Sequence, residues 1–260
     1  MNRRTELVQR IINLTQGDSP ARVVLDAGCG SASELRFGPG TIMVGIDISA
    51  TQLQRNSRLS ERILGDIQDY RFDGRSFDIV VCWDVLEHVQ RPGEAVENLL
   101  NAVRPDGLII LGFPNLLSLK GLITKFTPHW FHTLVYRLLR ITPNPGTDGN
   151  PPFRTFFRLS MAPSSIRRMA EERGFDLEGT ATADVSQSKF MARHPLFLWF
   201  YRAADQALRL LTFGHFDDSE VVLVLRRRIA VQEVPVEPGE GLGWDAEELE
   251  FGQAASGESA

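Results

Sequence analysis

Five short runs dominated by Val, Ile and Leu fall within the first 114 residues: RVVLDAG (22–28), TIMVGIDI (41–48), RILGDI (62–67), FDIVVCWDV (77–85) and GLIILGFP (107–114). They are too continuously apolar for a sheet with one wet face. Both faces must be buried, which is the condition of strands in a parallel sheet. Parallel neighbours need long crossovers, usually helical. Helical patterns lie between the runs at 50–57 and 92–103, and the spacing predicts another helix over 5–15, where Leu7, Val8, Ile11, Ile12 and Leu14 share a face. The chain therefore reads as α/β. After Pro114 the style changes. Residues 116–160 hold two amphipathic pieces and the loop TPNPGTDGNPP, and a helix over 164–173 is closed by Gly174. Two late strands, 176–185 and 219–228, bracket an apolar helical segment at 195–213 and predict an antiparallel edge.

Length and charge set the outer bounds. The 260 residues, 43% of them hydrophobic, suffice for one α/β domain with insertions. The net charge of −5 conceals two regions. Residues 231–260 carry eight acids and no base, and are rich in Gly, Pro and Ser, so they read as a disordered acidic tail; without them 25 acids face 28 bases. One domain over 1–230 is expected ahead of that tail. The two cysteines, Cys29 and Cys82, sit in apolar contexts and form no disulfide framework, so a cytoplasmic setting is expected. MNRRTELVQR lacks an apolar signal core, and no run approaches the ~18 apolar residues of a membrane span. No concentrated basic stripe with interleaved aromatics marks a nucleic-acid partner.

The first strand ends in DAGCGSAS. A strand running into a glycine turn, with an acid about 20 residues on, is a nucleoside-binding arrangement. Here that acid is Asp47, 21 residues after Asp26, at the end of the second strand. A carboxylate there accepts from both ribose hydroxyls. A dinucleotide fingerprint has a third glycine where this chain has Ser33. Asp26, just before the glycines, also suits a cation better than a diphosphate. The residues thus favour a nucleoside carrying an amino acid.

VLDAGCGSA, GIDIS, the Gly65–Asp66 pair, FDIVVCWDVLEHV and VRPDGLIILGFPN, in that order, resemble the motif set of class I S-adenosylmethionine-dependent methyltransferases, and among them the ubiquinone-biosynthesis O-methyltransferases. The resemblance covers residues 20–115 through motifs and 160–228 through topology. It implies a Rossmann-like, doubly wound sheet of seven strands in the order 3-2-1-4-5-7-6, the last antiparallel, with helical lid insertions at about 116–160 and 187–215. It implies methyl transfer from S-adenosylmethionine to a small acceptor, most simply at oxygen. Asp26, Gly28 and Gly30 would border the methionine part of the cofactor. Asp47 would hold the ribose with Ile48 against the adenine, Asp66 would accept from the adenine amino group beside the Ile67 backbone, and Trp83 would close the fourth strand where ligands bind. Two departures stand out. Ala32 replaces a usual small glycine, at a cost if that site needs positive φ. The link SASELRFGPG leaves room for one or two helical turns at most. Two rivals remain: an NAD-dependent oxidoreductase, disfavoured by the missing glycine, and a methyltransferase-fold binding module without turnover.

His88, in DVLEHV beyond the fourth strand, is the candidate base for a hydroxyl nucleophile; the alternative is that it orients the turn with Glu87. Arg154 and Arg158, four apart, either hold an anionic group of the substrate or pair with Glu171 and Glu172. His129 and His132 lack the second tight pair of a metal site, so no metal is expected, and His132 is placed over the substrate pocket. Region 116–215 carries 13 bases against seven acids, and its helices are amphipathic. That composition fits a lid over a hydrophobic or lipid-linked acceptor, and equally peripheral contact with a membrane surface.

Overall fold

A computed structural model describes residues 3–16, 22–138, 153–156, 158–184, 186, 189–212 and 218–229. The chain from residue 1 to 229 clusters into one compact unit. The acidic tail, the 142–152 loop and His215 lie outside the described residues.

Helix α1 (Arg3–Gln16) leads into β1 (Val23–Ala27), β2 (Ile42–Asp47), α2 (Ala50–Arg55), β3 (Glu61–Leu64) and β4 (Phe77–Trp83). A short 3-10 turn at Leu86–His88, α3 (Pro92–Asn101) and β5 (Val103–Pro114) follow. The later part contains α4 (Leu119–Phe126), α5 (His129–Leu138), α6 (Pro163–Glu172), β6 (Phe175–Ala183), α7 (Lys189–Arg193), α8 (Pro195–Leu211) and β7 (Glu220–Arg227). The seven strands form one sheet in the order β3-β2-β1-β4-β5-β7-β6. The first five pair in parallel, and β7 runs antiparallel between β5 and β6. The expected order and the antiparallel strand are both present.

The continuous apolar runs are buried as the parallel pattern requires. One face packs Leu25, Ala27, Val44, Val80 and Cys82 with α3 and α6 through Leu99, Val96, Ile166 and Ala170. The other packs Val24, Met43, Ile79, Val81 and Trp83 with Val8 and Ile12 of α1 and Leu53 of α2.

The β1–β2 connection departs from expectation. No helix forms anywhere in residues 28–41, where one or two turns were predicted. A short helix needs tertiary support, and this segment uses its side chains otherwise. Leu35 and Phe37 join the core beneath the sheet. The Gln9 side chain of α1 donates to the Arg36 carbonyl at 2.6 Å and accepts from its N–H at 3.0 Å. Ala32 carries no positive φ, so its departure from glycine costs nothing here.

Candidate active site

The carboxyl ends of β1, β2, β3 and β4 converge on the glycine turn. Gly28 has φ +70° and Gly30 φ +53°, conformations that glycine adopts without penalty. The two glycines serve different ends. A Cβ on Gly28 would lie 2.5 Å from Val85 Cγ2, so this glycine lets the turns after β1 and β4 touch. A Cβ on Gly30 would meet nothing within 4 Å, so the main chain here faces open space. The turn is held from behind. Gly28 N–H donates to the Ile46 carbonyl at 2.8 Å, and Arg58 donates to the Ser33 carbonyl at 2.9 Å. Asn56, fully buried, reaches the Gly30 carbonyl at 3.4 Å. Nothing in the sequence marks Asn56, Arg58 or Gln9 for this work, because each acts across the fold.

Asp47 closes β2 against this turn. Its Oδ2 accepts from Gly30 N–H at 2.9 Å and its Oδ1 from Ser49 N–H at 2.8 Å. Each oxygen keeps a further lone pair for an outside donor. The next residue, Ile48, is 75% exposed and offers an apolar surface. Asp66 follows β3, and its carboxylate accepts from both the backbone N–H and the side-chain amide of Gln68. Gln68 in turn accepts from Arg91 N–H at 2.7 Å, which fixes the orientation of Asp66. The Ile67 side chain is buried in the core and its carbonyl accepts from Asn98 at 3.1 Å. Trp83 is 8% exposed, with its ring over Gly112, so it forms a wall of the core beneath the crevice.

The electrostatics of the turn are negative. Asp26 is only 6% exposed. Burial pushes its carboxyl up to about 6, Asp47 and Glu34 add to the rise, and the Ser33 hydroxyl opposes it. Burial, with Asp26 and Asp47, also pushes the Cys29 thiol up to about 12, so Cys29 stays a neutral filler. A cradle that penalises its own carboxylate favours an incoming cation and repels a diphosphate. With no helix starting after Gly30, there is no helix N-terminus to receive a diphosphate either. These features fit a ligand with a sulfonium and an ammonium group: open main chain at Gly30, acids at Asp26 and Asp47, and an exposed apolar flank at Ile48.

On the β4 side, Asp84 leaves the strand at φ +53°, one of two non-glycine residues with positive φ among the described residues. Such strain concentrates at functional sites. The 3-10 turn then presents His88, whose N–H donates to the Val85 carbonyl at 2.8 Å. Val85 thus touches Gly28 on one side and holds His88 on the other. His88 Nδ1 is 2.9 Å from the Arg154 carbonyl, and its ring meets Phe153 edge-on. Since a carbonyl only accepts, Nδ1 carries the proton and Nε2 is the basic nitrogen. Nε2 lies 3.8 Å from Glu87 Oε1. Burial lowers the pKa of His88, more than the Arg154 bond and the Asp84 charge raise it.

The segment 153–156 crosses over this turn, with Phe156 N–H donating to the Glu87 carbonyl at 2.6 Å. It brings Arg154 to a cavity of about 510 Å³ between α4 and α5, which His132 also lines. Arg158 does not line that cavity; it is exposed and heads the 3-10 turn Leu159–Met161. Glu171 and Glu172 pair instead with Arg167 and Arg168.

Comparison with known proteins bears on the domain and the fold. Residues 25–111 match the family model of the methyltransferase domain. A ubiquinone biosynthesis O-methyltransferase of Neisseria meningitidis is 26% identical over 179 residues, covering 63% of this chain and 67% of the relative. The mitochondrial enzyme of that name from Schizosaccharomyces pombe is 30% identical over 148 residues, covering 52% of this chain and 49% of the relative. The matches thus span from about half to two thirds of these relatives' lengths. In fold, the chain resembles a putative sarcosine dimethylglycine methyltransferase from Galdieria sulphuraria (13% identity, TM-score 0.52, 86% and 84% of the two chains). It also resembles the plantazolicin methyltransferase BpumL, solved with SAH (15% identity, TM-score 0.51, 87% and 83%). The sheet order, the glycine turn with its two acids and the methyltransferase domain matched over residues 25–111 support a class I S-adenosylmethionine-dependent methyltransferase.

Proposed function

We propose that this chain methylates a hydroxyl of a small, hydrophobic or lipid-linked acceptor, with His88 as the base. The observation that carries the reading is the His88 tautomer: a proton fixed on Nδ1 by the Arg154 carbonyl leaves Nε2 free to accept, one turn from the glycine cradle. In this reading Gly30 supplies open main chain to the cofactor, Asp26 faces its cationic end and Asp47 accepts from its ribose. Ile48 and Asp66 flank the adenine, with Ile67 and Trp83 fixing the floor. When bound, the cofactor supplies an electrophilic methyl group.

The chain's own part begins with deprotonation. As a hydroxyl becomes a nucleophile, its proton passes to His88 Nε2, and the Glu87 carboxylate at 3.8 Å stabilises the resulting imidazolium. The lowered pKa keeps His88 neutral, and so competent as a base, at neutral pH. Phe153 packs edge-on against the His88 ring, and the Phe156 main chain crosses the turn. Oxygen as the target is supported by the need for such a base, since a neutral amine needs none, and by the names of the curated relatives.

The acceptor's hydrophobic character is supported by the lid helices. Ile123 and Phe126 of α4, Trp130 and Phe131 of α5, and Trp199 and Phe200 of α8 are all exposed. With Arg193 and Arg202 also exposed, this surface suits peripheral contact with a membrane. No helix among the described residues is long and apolar enough to cross one.

His88→Asn tests the reading, because the Asn amide preserves the donor to the Arg154 carbonyl and removes the base. Turnover is expected to fall by about 10²–10⁴-fold while S-adenosylhomocysteine affinity stays within a factor of about two. The wild-type rate should be flat above neutral pH and decline only below the ordinary histidine range. Full activity in the variant would reduce His88 to a positioning residue.

A further inference from the structure

We infer that the cavity between α4 and α5 is a binding site for an anionic oxygen group, a phosphate or a carboxylate, carried by the methyl acceptor. The inference rests on the methyltransferase reading and specifies the kind of acceptor it uses.

The cavity wall is cationic and rich in hydroxyls. Among the described residues its ionisable lining is Lys125, His129, His132 and Arg154, with Thr127 and Thr155 among them and no Asp or Glu. Two of these cations rest on aromatic rings. Several arginines elsewhere meet carboxylates, as in Arg75 with Glu61, Arg91 with Asp69, Arg173 with Glu97 and Arg226 with Glu178, and others, such as Arg58 and Arg62, meet backbone carbonyls. Among the described residues, by contrast, Lys125 and Arg154 form no ion pair. Lys125 lies over the Phe126 ring at 5.8 Å and Arg154 over the Phe156 ring at 5.0 Å. A ring face steadies a cation and leaves its N–H donors free for a guest.

The hydrogen bonding around His132 points the same way. The Thr127 hydroxyl lies 2.5 Å from the Ile123 carbonyl and 2.7 Å from His132 Nε2. It has one proton, and the carbonyl can only accept, so the hydroxyl donates to Ile123 and accepts from His132 Nε2–H. That bond ties the imidazole of α5 to the end of α4, and His132 lines the cavity. A guest with acceptor oxygens would then meet a guanidinium, an ammonium and the Thr155 hydroxyl, the donor set of charge-assisted anion recognition, and His132 would join them from Nδ1 in its imidazolium form.

Position links this site to the chemistry. The residue that supplies the guanidinium also supplies, from its backbone carbonyl, the bond that sets the His88 tautomer. An anionic group held in the cavity would anchor the acceptor beside the base. The exposed Trp130, Phe131 and Leu134 of α5 stand next to it and offer an apolar surface to the rest of the molecule. An amphiphile with an acidic group close to the methylated hydroxyl suits both features, and a volume of about 510 Å³ leaves room for that group together with part of the molecule that carries it.

The test uses the full chain and follows the histidine ring resonances by NMR, assigned by single His→Gln variants. Inorganic phosphate and benzoate are titrated separately, with chloride at matched ionic strength as the control, and the melting shift with S-adenosylhomocysteine is read in parallel. The expected result is a saturable movement of the His129 and His132 resonances, absent for His194 and absent with chloride. A response to phosphate alone assigns a phosphorylated acceptor, and one to benzoate alone a carboxylic acid; either supports the site. In Lys125→Gln/Arg154→Gln the apparent affinity should weaken by about tenfold or more, with the S-adenosylhomocysteine melting shift retained. No saturable response, an equal response to chloride, or an unchanged affinity in the double variant overturns the anion site. Loss of the S-adenosylhomocysteine shift in the wild-type protein overturns the methyltransferase reading instead, and leaves the anion result to stand or fall by itself.

Discussion

Asp26 is a carboxyl whose burial costs the fold stability. Its carboxyl titrates at about 6 in the fold, against an ordinary value of 3.8. The sign follows from linkage: an acid whose pKa is raised on folding stabilises the fold at low pH, and that contribution is lost as pH rises through the folded value. The ionised form therefore costs about 3 kcal/mol well above pH 6. Asp26→Asn should raise the melting temperature of the ligand-free protein at neutral pH, flatten the decline in stability between about pH 4 and 6, and weaken cofactor binding. Parallel melts and titrations check all three; a less stable variant would contradict the assignment. The two glycines separate in the same way. Gly28→Ala drives a methyl into Val85 at 2.5 Å and should destabilise the fold by about 2–4 kcal/mol, overpacking and backbone strain together. Gly30→Ala carries only the strain of positive φ, about 1 kcal/mol, and should lose cofactor affinity instead. If Gly30→Ala binds cofactor normally, the open main chain at that position is not the cradle.

Among the elements, the five parallel strands were the most legible part of the sequence, since burial on both faces writes itself as unbroken apolar runs. The cradle acids, Asp26 and Asp47, were legible for a related reason: they sit at strand ends whose positions the runs already define. The bare β1–β2 connection was not, because whether Ser-Ala-Ser-Glu-Leu coils into a turn depends on Gln9 and Arg58, which reach it from other elements. The cavity between α4 and α5 was only half legible. His132 and Arg154 could each be suspected, but their meeting depends on residues 153–156 folding back over a turn 66 positions earlier. Arg158, alike in sequence, takes no part in it. The lid helices carry their own prediction. Trp199 and Phe200 stack edge-to-face at 4.8 Å yet remain mostly exposed. Trp199→Ser/Phe200→Ser should leave the melting temperature within a few degrees and abolish co-sedimentation with anionic phospholipid vesicles. A large drop in stability would show that this face packs within the protein.

At the scale of the whole molecule, the sheet order brings the ends of four parallel strands to one edge, and the chemistry gathers there. β1 and β2 contribute the acids, β3 the Asp66 turn, and β4 the strained Asp84 and the histidine beyond it. The antiparallel β7 enters between β5 and β6, where Lys120 of α4 meets Glu220 of β7 at 2.9 Å and ties that helix to the sheet. The central claim is that the Gly28–Gly30 main chain and Asp47 grip a cationic nucleoside. Calorimetric titration of the wild type and Asp47→Ala with S-adenosylmethionine and with NAD tests it most directly. Saturable binding of S-adenosylmethionine, weakened by about 2 kcal/mol in Asp47→Ala, with none of NAD, is the predicted result; equal affinity in the two proteins, or tight binding of NAD, would contradict it.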